Sequence, residues 1–256
     1  MVERRAVNPV LRVSVPLIFV VGFGMVGVAT FNPLYQQVVD GVSPTMSGLR
    51  LAPLMLSMMC TSVAVGQTIA RIGRYRWFPV AGTSLLIVGM FLLSLLEVGT
   101  SYGFQFVALV VVGVGLGMIN PVLVLAAQNA VQPKDIGVAT STNTFGRTVG
   151  SSFGVAVFGT IFATRLTDAL SHGGSASVAG IVHSGVNISR AQIAALPAPL
   201  RTTFLSGFAH ALHGVFLGGV VVAVLGFLLS LLLREVPLRK RDLPNRTEAP
   251  EPAREG

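Results

Sequence analysis

Arg147 is the residue whose chemistry most needs explaining, because it lies in an apolar stretch among small residues. The stretch reads ATSTNTFGRTVGSSFGVAVFGTIF and covers positions 139 to 162. Side chains four residues apart share one face of a helix, so Asn143, Arg147 and Ser151 would form a polar stripe. In a membrane helix, such an arginine either extends to the headgroup phosphates at the boundary or lies deeper, pairs with a polar group and marks a substrate path. The sequence leaves both positions open and predicts that the stripe points inward.

The other faces of this stretch differ in character. One row is large and apolar and suits lipid: Phe145, Val149, Phe153, Val157 and Ile161. The next row is Gly146, Gly150 and Gly154. Small residues at four-residue spacing allow another helix to approach closely, so we expect this row to pack against a neighbouring helix.

Polar residues beside prolines form a second group of candidates for a substrate path. Proline removes a backbone donor and opens a helix locally, while an adjacent amide offers polar groups to a cavity. Asn32-Pro33 and Asn120-Pro121 have this form, and further polar side chains follow each pair. The candidates are Asn32, Tyr35, Gln36, Asn120 and Gln128, with Pro33 and Pro121 as helix-packing residues.

Three motif matches do not predict enzyme chemistry. The G-x-G-x-x-G at 22–27 lacks the preceding strand that dinucleotide binding needs. The G-x-S-x-G at 150–154 lacks the strand-to-helix turn of a nucleophile elbow. His210 and His213 share a helix face but have no third ligand for a metal. We therefore expect no enzyme activity, no cofactor and no metal site.

The composition indicates an integral membrane protein. Hydrophobic residues make up 52% of the 256 residues and charged residues only 11%, against about a quarter charged in soluble domains. The mean hydropathy is +0.74. Although the isoelectric point is near 11.0, basic-aromatic patches are missing, so we expect no nucleic-acid partner. Cys60 is the one cysteine, which excludes a disulfide within the chain.

Six segments are long and apolar enough to cross a bilayer, which needs about 20 residues. We predict an all-α protein with a six-helix transmembrane domain over residues 13–234, preceded by a short N-terminal segment (1–12) and followed by a basic, Pro-rich tail (235–256). Residues 167–203 are predicted to form an external loop, with a short helix capped by Ser189. The predicted spans are 13–36, 46–70, 77–97, 103–128, 136–166 and 204–233.

The positive charges predict the orientation. Thirteen of the 18 Lys and Arg residues fall on one side of the predicted topology and only three on the other. Positive residues collect on the cytoplasmic side, so both termini are predicted to be cytoplasmic in a multi-pass protein of the plasma membrane. The thirteen are Arg4, Arg5, Arg12, Arg71, Arg74, Arg76, Lys134, Arg234, Arg239, Lys240, Arg241, Arg246 and Arg254.

The connection GQTIARIGRYRW, residues 66–77, has a distinctive spacing. It resembles the cytoplasmic signature loop of the major facilitator superfamily, in which a glycine precedes an acid-Arg-x-Gly-Arg run. Ala70 stands where the acid would be, which puts the charge relay of that loop in doubt. The matching residues are Gly66, Arg71, Gly73, Arg74 and Arg76.

Further stretches resemble the last six helices of fourteen-helix drug:proton antiporters of that superfamily. They are PLYQQVVDGVSPTMSGLRLAPL (33–54), the run at 113–159, and FAHALHGVF followed by LLREVPLR. The resemblance implies half of a major-facilitator fold, built from two inverted three-helix repeats. The sequence agrees, because Asn-Pro follows about nineteen residues into the first span and about seventeen into the fourth.

We therefore expect a transporter module that exports small amphipathic molecules by alternating access. Its partners would be lipid, the small-molecule substrate and a second six-helix half, either an N-terminal half or a second copy. The alternative is a truncated or non-transporting membrane protein of the same fold. Each of the ten acidic residues lies in a predicted loop, a tail or the last turn of a span, so we expect that the chain alone does not couple transport to protons.

Overall fold

A computed structural model of the chain describes residues 9–129, 131–171 and 197–232. The predicted N-terminal segment, the C-terminal tail and the Ser189 cap lie wholly or largely outside these residues, and the division into these regions stays a prediction. The described residues form seven α-helices and one 3-10 turn, Pro133–Asp135. The α-helices are α1 (Pro9–Val38), α2 (Pro44–Leu49), α3 (Ala52–Ile72), α4 (Trp77–Ser94), α5 (Tyr102–Asn129), α6 (Ile136–Ser171) and α7 (Ala198–Leu231).

The prediction of six membrane-spanning segments is confirmed, although several of their bounds differ. The second span consists of α2 and α3, separated at Arg50 and Leu51. Pro53 accounts for this break, because a proline ring clashes with the carbonyl group four residues before it. Residues 167–171 and 198–203, predicted as loop, belong to α6 and α7. Polar residues can also form helix, so α6 and α7 extend beyond the apolar segments that predicted them.

The packing around α1 and α5 has the symmetry that two inverted repeats predict, although α6 packs on α7 and α3 has no comparable contact with α4. α5 packs most extensively against α3 and α4, and α1 packs against α6 and α7. If the first three spans are exchanged in order with the last three, the α5–α3 pair becomes α1–α6 and the α5–α4 pair becomes α1–α7. α4 and α7 join the two groups. The α2–α3 span and α6 are the least buried of the six, so they form the edges of the bundle.

Glycines allow the helices around α5 to touch through their backbones. A Cβ on Gly82 of α4 would lie 2.7 Å from the carbonyl oxygen of Gly115, and the reverse substitution gives the same distance. On the other side of α5, a Cβ on Gly117 would lie 2.6 Å from the carbonyl oxygen of Met58 in α3. These interfaces fix the heights of the spans relative to one another.

Candidate functional site

The glycine row of α6 packs directly on α1. A Cβ on Gly154 would lie 2.6 Å from the carbonyl oxygen of Phe23, and one on Gly150 would overlap the carbonyl of Phe19. Gly146 is less tightly packed, since its Cβ would lie 3.5 Å from Ile18. The contact is reciprocal, because a Cβ on Gly22 of α1 would overlap the carbonyl oxygen of Arg147. The α6 backbone at Arg147 is therefore held against α1.

The depth of Arg147, which the sequence leaves open, follows from this contact. The span Ile136–Ala169 has its midpoint near position 152, so Arg147 is about 8 Å from the middle at 1.5 Å per residue. Gly22, at the same height, is four residues, or about 6 Å, from the midpoint of the span Ser14–Val38. Both distances are smaller than the half-thickness of the hydrocarbon core, about 15 Å. Counted along the two helices, Arg147 therefore lies inside the apolar span of α6 rather than at its end.

The sequence predicted that the Arg147 side chain points into the six-helix bundle. That prediction is wrong, because the side chain is exposed on the surface of the bundle. The Arg147 side chain makes no hydrogen bond or ion pair with any other residue that the structure describes. Asn143, one turn earlier, is buried at 9% exposure. Ser151, one turn later, is half-buried and donates to the carbonyl of Gly22 at 3.1 Å. Asn143 and Ser151 are therefore covered by neighbouring groups, whereas Arg147 between them is exposed.

Hydroxyl side chains surround Arg147 on the exposed side of α6. Thr144 and Thr148 are exposed, and their hydroxyl groups donate to the carbonyls of Thr140 and Thr144 at 3.2 and 3.0 Å. Phe145, at 70% exposure, faces a different direction, toward lipid. We call the polar surface the Arg147 face, formed by Thr140, Thr144, Arg147, Thr148 and Ser151.

The remaining candidates have separate environments. Tyr35 is fully buried, and its hydroxyl donates to the carbonyl of Glu97 at 2.6 Å. Asn120 is half-buried and donates to the carbonyl of Leu116 at 3.1 Å. Gln128 donates to the Thr140 hydroxyl at 3.2 Å and so links α5 to the Arg147 face. Asn32 and Gln36 are fully buried and belong to the opposite end of α1.

Pro121 leaves a backbone carbonyl for another helix to bind. α5 continues through the proline, but Pro121 has no N–H for the carbonyl of Gly117 four residues earlier. The Ser62 hydroxyl of α3 donates to that carbonyl at 3.2 Å. The proline therefore acts in α3–α5 packing, whereas the Asn120 amide bonds within α5.

The basic connection begins at the end of α3. Gly73 ends the helix with φ of 73°, and its N–H donates to the carbonyl of Ile69 at 2.8 Å. Such a left-handed cap strongly favours glycine. Arg71, Arg74 and Arg76 are exposed. Gly66 is exposed too, and a Cβ there would have nothing within 4 Å among the described residues.

Sequence reasoning missed a polar cluster at the opposite end of the bundle. We call this end, with the 39–43 and 95–101 connections, the Asp40 end. The Asp40 carboxylate accepts a hydrogen bond from Gln105 Nε2 at 2.9 Å and lies 3.5 Å from Arg50 Nη1. Arg50 also stacks on the Tyr102 ring, 4.6 Å from its centroid. The pattern around Asp40 gave no indication of this, because Gln105 is 65 positions away.

Burial dominates the electrostatics of Asp40. Its side chain is 16% exposed, and this burial raises the pKa of the carboxyl group, while the Gln105 hydrogen bond and the Arg50 charge act in the opposite direction. The residue lies between the two spans Ser14–Val38 and Pro44–Ile72. The Asp40 carboxyl group is thus partly enclosed by three helices.

The family of the chain follows from comparison with known proteins. The family model described as Major Facilitator Superfamily matches residues 3–155, more than half of the chain. The chain belongs to the major facilitator superfamily. The six spans and their repeat-like packing agree with half of that fold, so the chain is a multi-pass membrane protein of a transporter family.

Several major-facilitator relatives match nearly the whole chain. An uncharacterized MFS-type transporter of Mycobacterium tuberculosis is 44% identical over 90% of this chain and 33% of its own length. The multidrug transporter protein MdtP of Bacillus subtilis is 27% identical over 90% of this chain and 47% of its own length. A tetracycline resistance determinant of Streptomyces rimosus is 28% identical over 85% of this chain and 70% of its own length. The chain thus spans between a third and a half of the first two relatives.

Proposed function

We propose that this major-facilitator chain is one half of a multidrug-efflux-like exporter, which moves small amphipathic molecules by alternating access together with a second six-helix half. The observation that carries the proposal is the exposed Arg147 inside the apolar span of α6. A charged side chain facing lipid at the centre of a bilayer costs about 2.5–3.5 kcal/mol or more, and such residues nearly always face a water-filled cavity or another helix. In the proposal, the Arg147 face lines that cavity.

Two further observations support a second half. Gly66 of α3 offers an open surface where a helix could approach closely. α3 and α6 are also the least buried spans, and they lie at the edges of the bundle. A partner that covers both edges would enclose the Arg147 face between the halves. The names of two relatives, a multidrug transporter and a tetracycline resistance determinant, suggest the substrate class.

The proposed exporter lies in the plasma membrane with the Asp40 end outside. The opposite end carries the exposed Arg71, Arg74 and Arg76, which agrees with the cytoplasmic enrichment of positive residues. Substrate would then enter from the cytoplasmic end and leave past the Asp40 end. This direction is part of the proposal and sets which side of a vesicle must be loaded.

A fusion protein tests the proposal. The chain is joined to the part of the Mycobacterium tuberculosis relative that lies outside the match, and tetracycline, a small amphipathic molecule with several oxygen acceptors for an arginine, is the probe in proteoliposomes. We expect efflux from the fusion and none from the chain alone. Arg147→Ala should lower efflux at least about tenfold, since a hydrogen bond to a charged group contributes about 1.5–3 kcal/mol.

Arg165→Ala is the matched control on the same helix, because Arg165 is exposed near the end of the span. It should leave efflux close to that of the unchanged fusion. A folded Arg147→Ala fusion with unchanged efflux would contradict the cavity assignment. A folded fusion without any efflux would favour the alternative, a non-transporting membrane protein of this fold.

A further inference from the structure

Three amide side chains near the Asp40 end are buried without full hydrogen bonding. Asn32 and Gln36 are fully buried, and neither the oxygen nor the nitrogen of either amide has a partner among the described residues. Gln105 is also fully buried, and its Oε1 has no partner although its Nε2 donates to Asp40. Native proteins pair nearly all such atoms with protein groups or ordered water. Ordered water would supply the partners that these five atoms lack among the described residues.

The spacing of these residues gives the site an elongated shape. Asn32 and Gln36 are one turn apart on one face of α1, and Asp40 follows in the connection, two residues beyond the end of α1 at Val38. Asn32 is about 9 Å from that end along the helix axis. Gln105 adds its amide from α5 at the Asp40 carboxylate. A column of amide groups thus leads from the inside of the bundle to an acid.

Water suits this column better than an apolar ligand. An internal water molecule typically makes about three hydrogen bonds to polar groups that would otherwise be unpaired. The amides offer both donors and acceptors, and neutral amide groups next to a single carboxylate do not require a multivalent ion. The inner end of the column carries no charge, because Asn32 and Gln36 are neutral.

The charges around Asp40 nearly balance. Arg50, at the end of α2, is the nearest cation. Its guanidinium stacks on the Tyr102 ring of α5, and its backbone carbonyl accepts a hydrogen bond from the Tyr102 hydroxyl. Tyr35 of α1 keeps its hydroxyl on the carbonyl of Glu97. If Asp40 gains a proton, Arg50 thus keeps Tyr102 as a partner, and the Gln105 amide still has a carboxyl oxygen to bind.

We propose that Asn32, Gln36 and Gln105 hold a short file of internal water molecules that ends at the Asp40 carboxylate and hydrates it. Asp40 takes up a proton from solvent at its partly exposed side and releases it to solvent the same way, while the file solvates the charged carboxylate. The site needs neither a transported substrate nor a second half, so it goes beyond the proposed function.

Infrared spectroscopy of the purified chain in lipid nanodiscs tests the proton site. The carbonyl stretch of protonated carboxyl groups is followed as pH is raised, and the difference between the chain and Asp40→Asn isolates Asp40. We expect a band that disappears at a higher pH than for free aspartate. Glu97→Gln, which removes an exposed carboxylate at the same end, should retain the band. A difference band that titrates like free aspartate would overturn the proposal.

Apolar substitutions test the water file. Asn32→Leu or Gln36→Leu removes the amide that holds water, so Asp40 should lose hydration and keep its proton to a higher pH. Gln37→Leu is the matched control, because Gln37 is on the same helix but bonds Ser47 at 2.9 Å; it should not move the band. Gln105→Leu is an independent variant, expected to shift the band upward too, should the α1 variants fail to fold.

Thermal stability distinguishes water-filled from empty amide sites. If the amides are dry, leucine removes unpaired polar atoms, and the melting temperature rises while the Asp40 titration stays unchanged; that pair of results would overturn the proposal. If water fills the file, the melting temperature stays the same or falls and the titration shifts. Since both readouts use the chain alone, they are independent of whether the fusion transports tetracycline.

Discussion

Gly154→Ala measures how far the α1–α6 interface depends on the absence of a side chain. The new Cβ would lie 2.6 Å from the carbonyl oxygen of Phe23, whereas ordinary contact begins at 3.4 Å. α1 and α6 must therefore separate by about 0.8 Å, and a gap of that size forfeits a quarter to a half of each dispersion contact. For about 40 atom pairs of 0.1–0.2 kcal/mol each, the loss is about 1–4 kcal/mol. This agrees with the roughly 1–3 kcal/mol typical of overpacked cores.

The assay is thermal unfolding in mild detergent, followed by the amount of protein that remains monodisperse in gel filtration. Gly159→Ala, five residues further on α6, is the matched control, because a Cβ there meets nothing within 4 Å; it should be neutral or stabilise by up to about 1 kcal/mol through helix propensity. Gly150→Leu should be more damaging than Gly154→Ala, while Val157→Leu, at 42% exposure, should be tolerated. Equal melting temperatures for Gly154→Ala and Gly159→Ala would refute the close-contact argument.

Three further experiments address orientation, packing and pH. On a Cys60→Ser background, Val98→Cys should react with an impermeant thiol reagent in intact cells and Arg74→Cys should not; the reverse pattern would invert the proposed orientation. Ser62→Ala should lower stability by about 1 kcal/mol, because the Gly117 carbonyl loses its partner, whereas Thr68→Ala, whose hydroxyl bonds within its own helix, should change it by less than about 0.5 kcal/mol. Burial raises the pKa of Asp40, so the folded chain holds that proton more tightly than the unfolded chain; relative to Asp40→Asn, stability should be greatest below about pH 4 and fall as pH rises through the folded pKa. A pH-independent difference between the two proteins would contradict this last expectation.

The sequence predicts the spans well because each one is a long apolar run, and these runs set the number of helices regardless of how they pack. It does not predict the break at Arg50 and Leu51, since a proline can either interrupt a helix, as Pro53 does, or lie inside one, as Pro121 does. In α5, the Ser62 hydroxyl of a neighbouring helix binds the carbonyl that Pro121 frees.

The candidate site is less predictable because its properties arise from contacts between distant positions. The depth of Arg147 depends on Gly22, and its exposure depends on which side of α6 meets α1. The helix period indicates that Asn143, Arg147 and Ser151 are near one another, but it does not indicate that Arg147 is exposed between two covered residues. The burial of Asp40 likewise cannot be inferred from its neighbours in the sequence, because it depends on contact with Gln105, 65 positions away.

The pairing of α1 with α6 has a consequence for biosynthesis. The hydrogen bond from Ser151 to Gly22 joins positions 129 residues apart, and translation at about 5–20 residues per second takes on the order of ten seconds to cover that distance. During that time α1 must wait in the membrane with Asn32 and Gln36 uncovered by its final neighbours. Amide groups are poorly tolerated in lipid, so the nascent helix needs the translocon or an insertase at its side until α6 emerges. Substitutions at the α1–α6 interface should accordingly shorten the lifetime of newly made chains more than that of chains already assembled.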